Sequence, residues 1–246
     1  MDILVTIDDT DNLSSRGTGY LAEVLRKDIE KLFKGTTSRI TRHQLFVCDE
    51  IPYTSHNSAM CFKASINSHD LEAVIKYCSG FLKIESAEGS DPGLCVAVIN
   101  EIKDKERLIQ FGIDATETVL TKEEAYTLAD KSEIHLSEHG GTGGGVIGAL
   151  AGTGLRLQGS NGRFKGWIDF ADNERNTTVE ILLTRDEIDL ISTETGFIPP
   201  HKDSVILKDK VKTVLLNGRS VLLVRKAGNS DGSQWENLSK DEIKKY

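Results

Sequence analysis

Three carboxylates lie within four residues near the N-terminus: Asp8, Asp9 and Asp11. They follow the β-branched run 3–7, which predicts a short buried strand. Carboxylates this close repel one another, and Mg²⁺ would relieve the repulsion while leaving room for phosphate oxygens. We therefore expect Asp8, Asp9 and Asp11 to hold Mg²⁺ and to act in catalysis. The alternative is a solvated acidic turn capped by Asp11 or Asn12, although a cap needs only one acid.

A loop with two glycines follows these carboxylates and opens a predicted amphipathic helix over residues 20–33. Backbone amides at the start of a helix attract phosphate, because they lack partners inside the helix and lie at its positive end. Arg16 adds a guanidinium suited to phosphate. We expect Arg16, Gly17 and Gly19 to bind a nucleoside triphosphate beside the metal.

Eight glycines occur between residues 140 and 154. Gly143, Gly144 and Gly145 precede the apolar run 146–151, and two interpretations of them stay open. They form either a loop that lets the backbone approach a bound cofactor or the start of a helix packed closely on a sheet. No Lys-Ser/Thr pair follows, so this is not a Walker loop, and no long strand precedes it, as a dinucleotide-binding fingerprint requires.

Glu138 and His139 stand directly before this glycine-rich loop and are candidate substrate-binding residues. A structural role is the alternative for the lone histidine. The chain has no Ser–His–Asp order and no H-E-x-x-H helix that would indicate a different chemistry.

The elements that must position these residues follow the order strand, helix, strand, strand, helix, strand, which indicates a split βαβ arrangement. Hydrophobic periodicity places these six elements, followed by a third helix, at residues 2–7, 20–33, 38–47, 59–66, 69–81, 94–99 and 104–111. A second unit starts near residue 121 with a helix over 122–131 and strand-like runs at 163–170 and 177–184. A β tail follows Pro199-Pro200, with a hairpin predicted at Asn217-Gly218.

The composition is that of an ordinary globular chain of 246 residues with a formal net charge of −8. This charge argues against a surface devoted to nucleic acid. Four scattered cysteines predict buried free thiols, since they form neither a disulfide framework nor a C-x-x-C zinc site. The sequence shows no signal peptide and no apolar run near the roughly 18 residues of a membrane span, so we expect a cytoplasmic protein.

The run VTIDDTDN followed by RGTGYLAEVL resembles the start of the archaeal agmatinylcytidine synthetases, which modify the wobble cytidine of an isoleucine tRNA. Three further stretches fit that family in order: IPYTSHNSAMCFKA, GSDPGLCVAVI and GGGVIGALAGTGL. The resemblance covers about the first 155 residues and continues loosely to about residue 200.

The resemblance implies an α+β protein with two domains, a kinase-like α/β domain that we place at 1–118 and a ferredoxin-like domain, including the glycine-rich helix, that we place at 119–200. The small β-hairpin tail then occupies 201–246. It implies ATP and Mg²⁺ as cofactors. In that family, phosphoryl transfer activates a cytosine carbonyl oxygen and the amine agmatine displaces the phosphate. Thr18 falls on a threonine that the family can phosphorylate on itself, and His56 and Asn57 fall on a substrate-side element.

The sequence also departs from the family. The family's OB-fold and zinc ribbon, which hold the tRNA, have no counterpart in the 46 residues after Pro200, and no cysteine lies beyond Cys95. Gly17 stands where the family has cysteine, and Gly19 replaces a threonine. A basic residue is missing from the segment 54–57.

Three hypotheses follow. The first is an ATP/Mg²⁺-dependent phosphotransferase or ligase that activates a small substrate, with or without subsequent ligation of an amine. The second is a tRNA wobble-cytidine-modifying enzyme that needs a separate tRNA-binding subunit, and the third is a non-enzymatic nucleotide-binding module. We expect the first, with a small-molecule partner, no specific tRNA binding by the isolated chain and no membrane association. The acceptor, the amine, the choice between ADP and AMP as product, and the oligomeric state stay open.

Overall fold

The computed structural model describes residues 1–49, 56–208, 210–228 and 234–246, and the predicted α+β class is confirmed. The chain forms two compact units, Met1–Gln158 and Gly159–Tyr246. The elements of the first unit are β1 (Asp2–Asp8), α1 (Thr18–Phe33), β2 (Thr36–Thr37), β3 (Thr41–Gln44), β4 (Ser58–Ser65), α2 (Leu71–Glu85), β5 (Gly93–Val98), α3 (Lys105–Asp114), α4 (Lys122–Lys131), β6 (His135–Glu138) and α5 (Gly145–Gln158).

The first unit is built on an antiparallel sheet with the strand order β6-β5-β1-β4-β3. This is the predicted split βαβ order, because β1 lies between β4 and β5 although helices separate all three along the chain. The strand predicted over 38–47 is shorter: β2 and β3 both pair with β4, and the chain leaves the ladder between them.

The two faces of this sheet carry separate hydrophobic cores, because side chains alternate along each strand. Ile3, Val5 and Ile7 of β1 pack with α1 and α2 on one face. On the other face Ala59 and Cys95 pack with α3, α4 and α5.

The glycines of α5 bring this helix unusually close to its neighbours. A Cβ at Gly152 would lie 2.7 Å from the Cβ of Ala59, and a Cβ at Gly154 would overlap the carbonyl oxygen of Leu108. Close packing therefore explains these glycines.

The domain boundary that we expected at residue 118 is wrong. Since α5 packs on β1, β4 and β5, the first unit continues to residue 158. The split βαβ order lies in this unit rather than in residues 119–200.

The second unit is a mixed sheet with the order β7-β11-β12-β13-β10-β8, and β9 pairs with β12 in parallel. Residues 201–246 share this sheet with the earlier strands, so they do not form the separate tail that we expected. Its elements are β7 (Arg163–Phe164), β8 (Asn176–Thr178), α6 (Val179–Leu182), β9 (Leu190–Ser192), β10 (Ser204–Ile206), β11 (Val214–Leu216), β12 (Arg219–Lys226) and β13 (Gln234–Asn237).

Two sequence predictions in this unit concern a turn and a helix cap, and one is confirmed while the other is wrong in part. The Asn217-Gly218 hairpin is confirmed: both residues have positive φ, +49° and +73°, as a tight β-hairpin turn requires. The strand predicted over 177–184 is wrong after residue 178, because the hydroxyl of Thr178 accepts a hydrogen bond from Ile181 N and caps α6.

The cysteines are free, as predicted, and three of the four are buried: Cys61, Cys78 and Cys95. Burial raises the pKa of the Cys61 thiol to about 11 and those of Cys78 and Cys95 to about 12, so these thiols stay protonated at neutral pH. Across the described residues, no helix combines the length and the apolar character needed to cross a membrane.

Close packing of α5 predicts opposite effects for two glycine-to-alanine substitutions. Gly154→Ala should lower the free energy of unfolding by about 1–3 kcal/mol, because the new methyl group overlaps backbone. Gly80→Ala in α2, where no described atom lies within 4 Å of the added methyl, should raise it by about 0.5–1 kcal/mol through helix propensity. Urea denaturation measures both, and a neutral Gly154→Ala variant would contradict the packing described here.

Candidate functional site

A cavity of about 510 Å³ in the first unit collects most of the residues that the sequence singled out. Three distant segments contribute to its wall: the end of β1 with the start of α1, the segment before β4, and the loop that opens α5. The predicted site residues that line it are Asp8, Asp9, Asp11, Gly17, Thr18, Gly19, His56, Asn57, Gly144 and Gly145.

Two helix N-termini open on this cavity. α1 begins at Thr18 after Gly17, whose φ of +83° lets the chain turn into the helix. α5 begins at Gly145, whose amide donates to the carbonyl oxygen of Asp91 over 3.0 Å. Because the first amides of a helix lack partners inside it, each N-terminus adds partial positive charge to the cavity wall.

The carboxylates at the end of β1 oppose this positive charge and repel one another. Burial, followed by the charge of Asp9, raises the pKa of Asp8 to about 8. Burial, followed by the charges of Asp91 and Asp11, raises the pKa of Asp9 to about 6. Asp9 also has a φ of +49°, a conformation that aspartate tolerates better than most residues. The cavity therefore favours either protonated acids or a cation among them.

Thr18 is buried and fixed by a small hydrogen-bond network. Its hydroxyl donates to Asp11 Oδ1 over 2.8 Å and lies 3.1 Å from the Thr10 hydroxyl, which donates to it. The Thr10 amide donates to the same oxygen over 3.3 Å. Asp11 thus accepts a hydrogen bond from a hydroxyl that lines the cavity, the arrangement that a general base requires.

Two residues that the sequence did not single out as site residues hold the glycine-rich loop in place. The carboxylate of Asp91 accepts hydrogen bonds from the amide of Thr142 and, over 2.7 Å, from its hydroxyl. The Nζ of Lys122 donates to Glu138 Oε2 over 2.6 Å and to Thr142 O over 2.7 Å. Both residues line the cavity. Asp91 lies in the stretch 89–99 that resembles the family, and this position could have identified it as a site residue. No feature of the sequence identified Lys122.

Four predicted site residues are not among the described residues that line this cavity. Arg16 is exposed, donates to the hydroxyl of Tyr20 over 2.8 Å and lines a smaller neighbouring cavity. Glu138 pairs with Lys122, and His139 hydrogen-bonds the Ser137 hydroxyl over 2.9 Å. The remaining one is Gly143, with a φ of +75° and no room for a Cβ beside Glu138.

Gly144 differs from the other glycines of α5 and its loop. A Cβ at this position would meet its nearest described neighbours at 3.6 Å and 3.7 Å, which is ordinary contact. By contrast, a Cβ at Gly145 would overlap Asp91 O, and one at Gly148 would overlap the carboxylate of Asp8. Close packing therefore explains Gly145 and Gly148, whereas Gly144 faces the cavity without being required by packing.

The donor set fits Mg²⁺ only in part. Within the described residues, no three acidic, histidine or cysteine side chains are arranged as a ready metal site. Mg²⁺ does not need such a cage, since it binds through one or two carboxylates together with phosphate oxygens and water. Asp9, Asp11 and Asp91 lie close enough for their charges to repel one another, and such a cation would relieve this repulsion.

A split βαβ sheet whose central strand delivers carboxylates to two helix N-termini defines an α/β protein suited to phosphate-bearing ligands. No family model and no curated protein sequence matches the chain. Solved structures do: a complex of TiaS with tRNA and ATP aligns with a TM-score of 0.57 at 20% identity, over 82% of this chain and 50% of that one. Apo TiaS, a tRNA agmatidine synthetase, gives a TM-score of 0.56 at 20% identity, over 82% and 49%.

A third solved structure, a tRNA fluorescent labeling enzyme, aligns with a TM-score of 0.54 at 24% identity, over 75% of this chain and 43% of that one. The protein therefore has a TiaS-like fold, and the resemblance seen in the sequence is confirmed at this level. The chain spans about half the length of these structures. One of these solved structures is a complex with tRNA. The comparisons therefore do not support our expectation that the isolated chain binds no specific tRNA.

The raised pKa of Asp8 predicts how stability depends on pH. Between about pH 4 and pH 8 the unfolded chain releases this proton while the folded protein keeps it, so the free energy of unfolding falls as pH rises. Asp8→Asn removes this titration and should flatten the fall, with the largest gain over the unsubstituted protein at and above pH 8. Urea denaturation at pH 5, 7 and 9 in chelator measures this, and parallel pH profiles would show that Asp8 is ionised in the folded state.

Proposed function

We propose that the cavity binds ATP with Mg²⁺ and that the protein is an ATP-using enzyme that activates an acceptor by phosphoryl transfer. The observation that carries this proposal is the meeting of two helix N-termini and a set of carboxylates in one cavity of about 510 Å³. Phosphoryl transfer depends on positioning and charge neutralisation more than on covalent chemistry by the protein. Opposite charges arranged around one ligand supply both.

The positive end of the cavity suits the triphosphate. The amides around Gly17 to Gly19 and at Gly144 would bind phosphate oxygens, whereas the Gly145 amide already donates to Asp91 O. Arg42 and Lys122 add two cationic side chains to the same wall. Lys122 already holds the glycine-rich loop, so it would couple phosphate binding to the loop's position.

The negative end suits the metal. Asp9 and Asp91 would hold Mg²⁺, which supplies charge neutralisation to the phosphates when it is bound, and Asp11 stays available to the Thr18 hydroxyl. Apolar side chains elsewhere in the wall would contact the face of a nucleobase. They are Leu45, Met60, Ala115, Val119, Leu120 and Ile147.

Thr18 would be a phosphoryl acceptor. In this step the Thr18 oxygen forms a bond to the γ-phosphorus of ATP, the bond to the ADP oxygen breaks, and the hydroxyl proton passes to Asp11. The 2.8 Å hydrogen bond from Thr18 to Asp11 Oδ1 places the base within reach of this proton. The family resemblance assigns the same role to this threonine.

A tRNA nucleotide is the acceptor that the comparisons favour, because the solved neighbours include TiaS with tRNA and ATP and TiaS with tRNA, AMPCPP and agmatine. An amine would then be the second substrate. A small-molecule acceptor is the second candidate. It is favoured by the charge of residues 1–158, which hold twenty-four acids and sixteen Lys or Arg residues and would repel RNA phosphates.

Asp9→Asn tests the nucleotide site. Loss of this carboxylate should lower ATP turnover at least about 100-fold, because a pre-positioned charge is removed from the reacting phosphates, and the fold should persist. Asp130→Asn, which changes an exposed acid of α4, is the matched control and should retain turnover. Nucleotide products are separated by chromatography, with total tRNA and agmatine present or absent. Undiminished turnover in Asp9→Asn would rule out this site.

Gly144→Val tests whether the second glycine loop serves the same ligand. The new side chain enters the cavity without displacing packed atoms, so ATP affinity should fall about tenfold or more while stability changes by about 0.5 kcal/mol or less. Gly148→Val is the contrast and should unfold the protein more easily, because its Cβ overlaps the Asp8 carboxylate. Isothermal titration with ATP and urea denaturation give the two readouts. Normal ATP affinity in a destabilised Gly144→Val variant would support the packing interpretation instead.

A further inference from the structure

The second unit carries an aromatic ring set among cationic side chains. Ile168 and Val211 form an antiparallel bridge, in which the Ile168 amide donates to Val211 O over 2.9 Å. Both of these side chains are buried in the core of the unit. Trp167 and the lysines on either side of Val211 therefore lie on the outer face, since neighbouring residues of an extended segment point in opposite directions.

Two ammonium groups lie over the indole of Trp167. The Nζ of Lys212 is 4.5 Å from the ring centroid, and that of Lys210 is 5.2 Å from it. The neighbouring aromatic ring, that of Phe170, packs against the core of the unit and is covered by Arg185 at 5.0 Å from its centroid, so it is not available for stacking. We call Trp167, Lys210 and Lys212 the Trp167 surface.

We propose that the Trp167 surface binds single-stranded RNA: a base stacks on the indole ring, and the two ammonium groups move from the ring to the phosphates on either side of that base. Proteins bind single strands in this way, because every base has a face that stacks and every linkage carries a negative charge. An acidic protein segment would match the cations and leave the ring without a partner. A nucleotide matches both.

The charge distribution directs RNA toward this unit. The net charge of −8 lies entirely in residues 1–158, whereas residues 159–246 hold fourteen acids and fourteen Lys or Arg residues. The lysines at 210 and 212 belong to the segment that we interpreted from sequence as an ordinary mixed surface. The sequence did not reveal that Trp167 lies beside both lysines. The bridge between Ile168 and Val211 brings these residues together from distant positions in the chain.

This inference deepens the proposed function, since it locates an RNA contact outside the nucleotide cavity. It rests on the proposed function in one respect, namely that the single-stranded RNA is part of a tRNA acceptor. Its test contains no ATP, so RNA binding can fail while ATP turnover persists, and the reverse. The chain has two tryptophans. Trp235→Phe therefore leaves Trp167 as the single tryptophan and makes its fluorescence a direct report on stacking.

The experiment titrates the Trp235→Phe protein with a single-stranded RNA of about 12 nucleotides. We expect saturable quenching of Trp167, and no comparable quenching by inorganic polyphosphate or by the same RNA as a duplex. Because Trp235 donates a hydrogen bond to Asp203 over 2.8 Å, binding of labelled RNA to the protein with both tryptophans is measured in parallel by fluorescence anisotropy. There, Trp167→Ala should weaken binding about tenfold or more, and Trp167→Phe should retain most of it.

The lysines are tested through salt dependence. Lys210→Ala with Lys212→Ala should flatten the slope of log affinity against log salt by about 1.4, the value for two lost phosphate contacts on a single strand. Lys202→Ala with Lys240→Ala removes the same charge from two exposed lysines elsewhere in the unit and should leave the slope nearly unchanged. Equal effects of the two pairs, quenching by polyphosphate as strong as by RNA, or full affinity in Trp167→Ala would each overturn the proposal.

Discussion

The contact between Gly93 at the start of β5 and Gly145 at the start of α5 is the constraint on which the first unit depends. A Cβ on either residue would overlap backbone of the other segment. Gly93 is also the partner of Asp8 in the register of β5 against β1. Because the two backbones touch here, the N-terminus of α5 is held at the end of the sheet where β1 delivers its acids. The cavity exists because a glycine on each side allows this approach.

The same contact explains why the site combines opposite charges at short range. The sheet supplies Asp8 and Asp9, and the helices supply the partial positive charge of their N-termini. The helix ends attract the acids without neutralising them, since the pKa of Asp9 stays raised by burial and by neighbouring carboxylates. A ligand that carries both a cation and phosphates satisfies both sets of groups at once.

Much of this arrangement could be predicted from the sequence. β1, α1 and α4 follow from periodicity, and the cluster Asp8, Asp9 and Asp11 stands out because its spacing is costly without a function. Asp91 and Lys122 were missed because they are single polar residues in loops or at a helix start, and their importance comes from contacts with residues 51 and 20 positions away. No local pattern records such contacts.

Other predictions differed from the structure for reasons that a linear pattern does not contain. Arg16 precedes the turn at Gly17 and contacts Tyr20 one helical turn later, so it lies beside the cavity rather than in it. The domain boundary expected at residue 118 assigned the glycine-rich helix to a second domain. It instead completes the first sheet by covering its second face.

The acids at the end of β1 titrate close to neutrality, and this has a consequence for anything that enters the cavity. Asp8, with a pKa of about 8, keeps its hydrogen ion at neutral pH, whereas Asp9, with a pKa of about 6, loses most of its own between pH 5 and pH 7. A cation bound at the proposed metal site would displace such hydrogen ions into the solvent. Occupancy of the cavity would then acidify the medium: the heat of binding would include the ionisation heat of the buffer that takes up these ions, and affinity for the cation would increase as the medium becomes more alkaline.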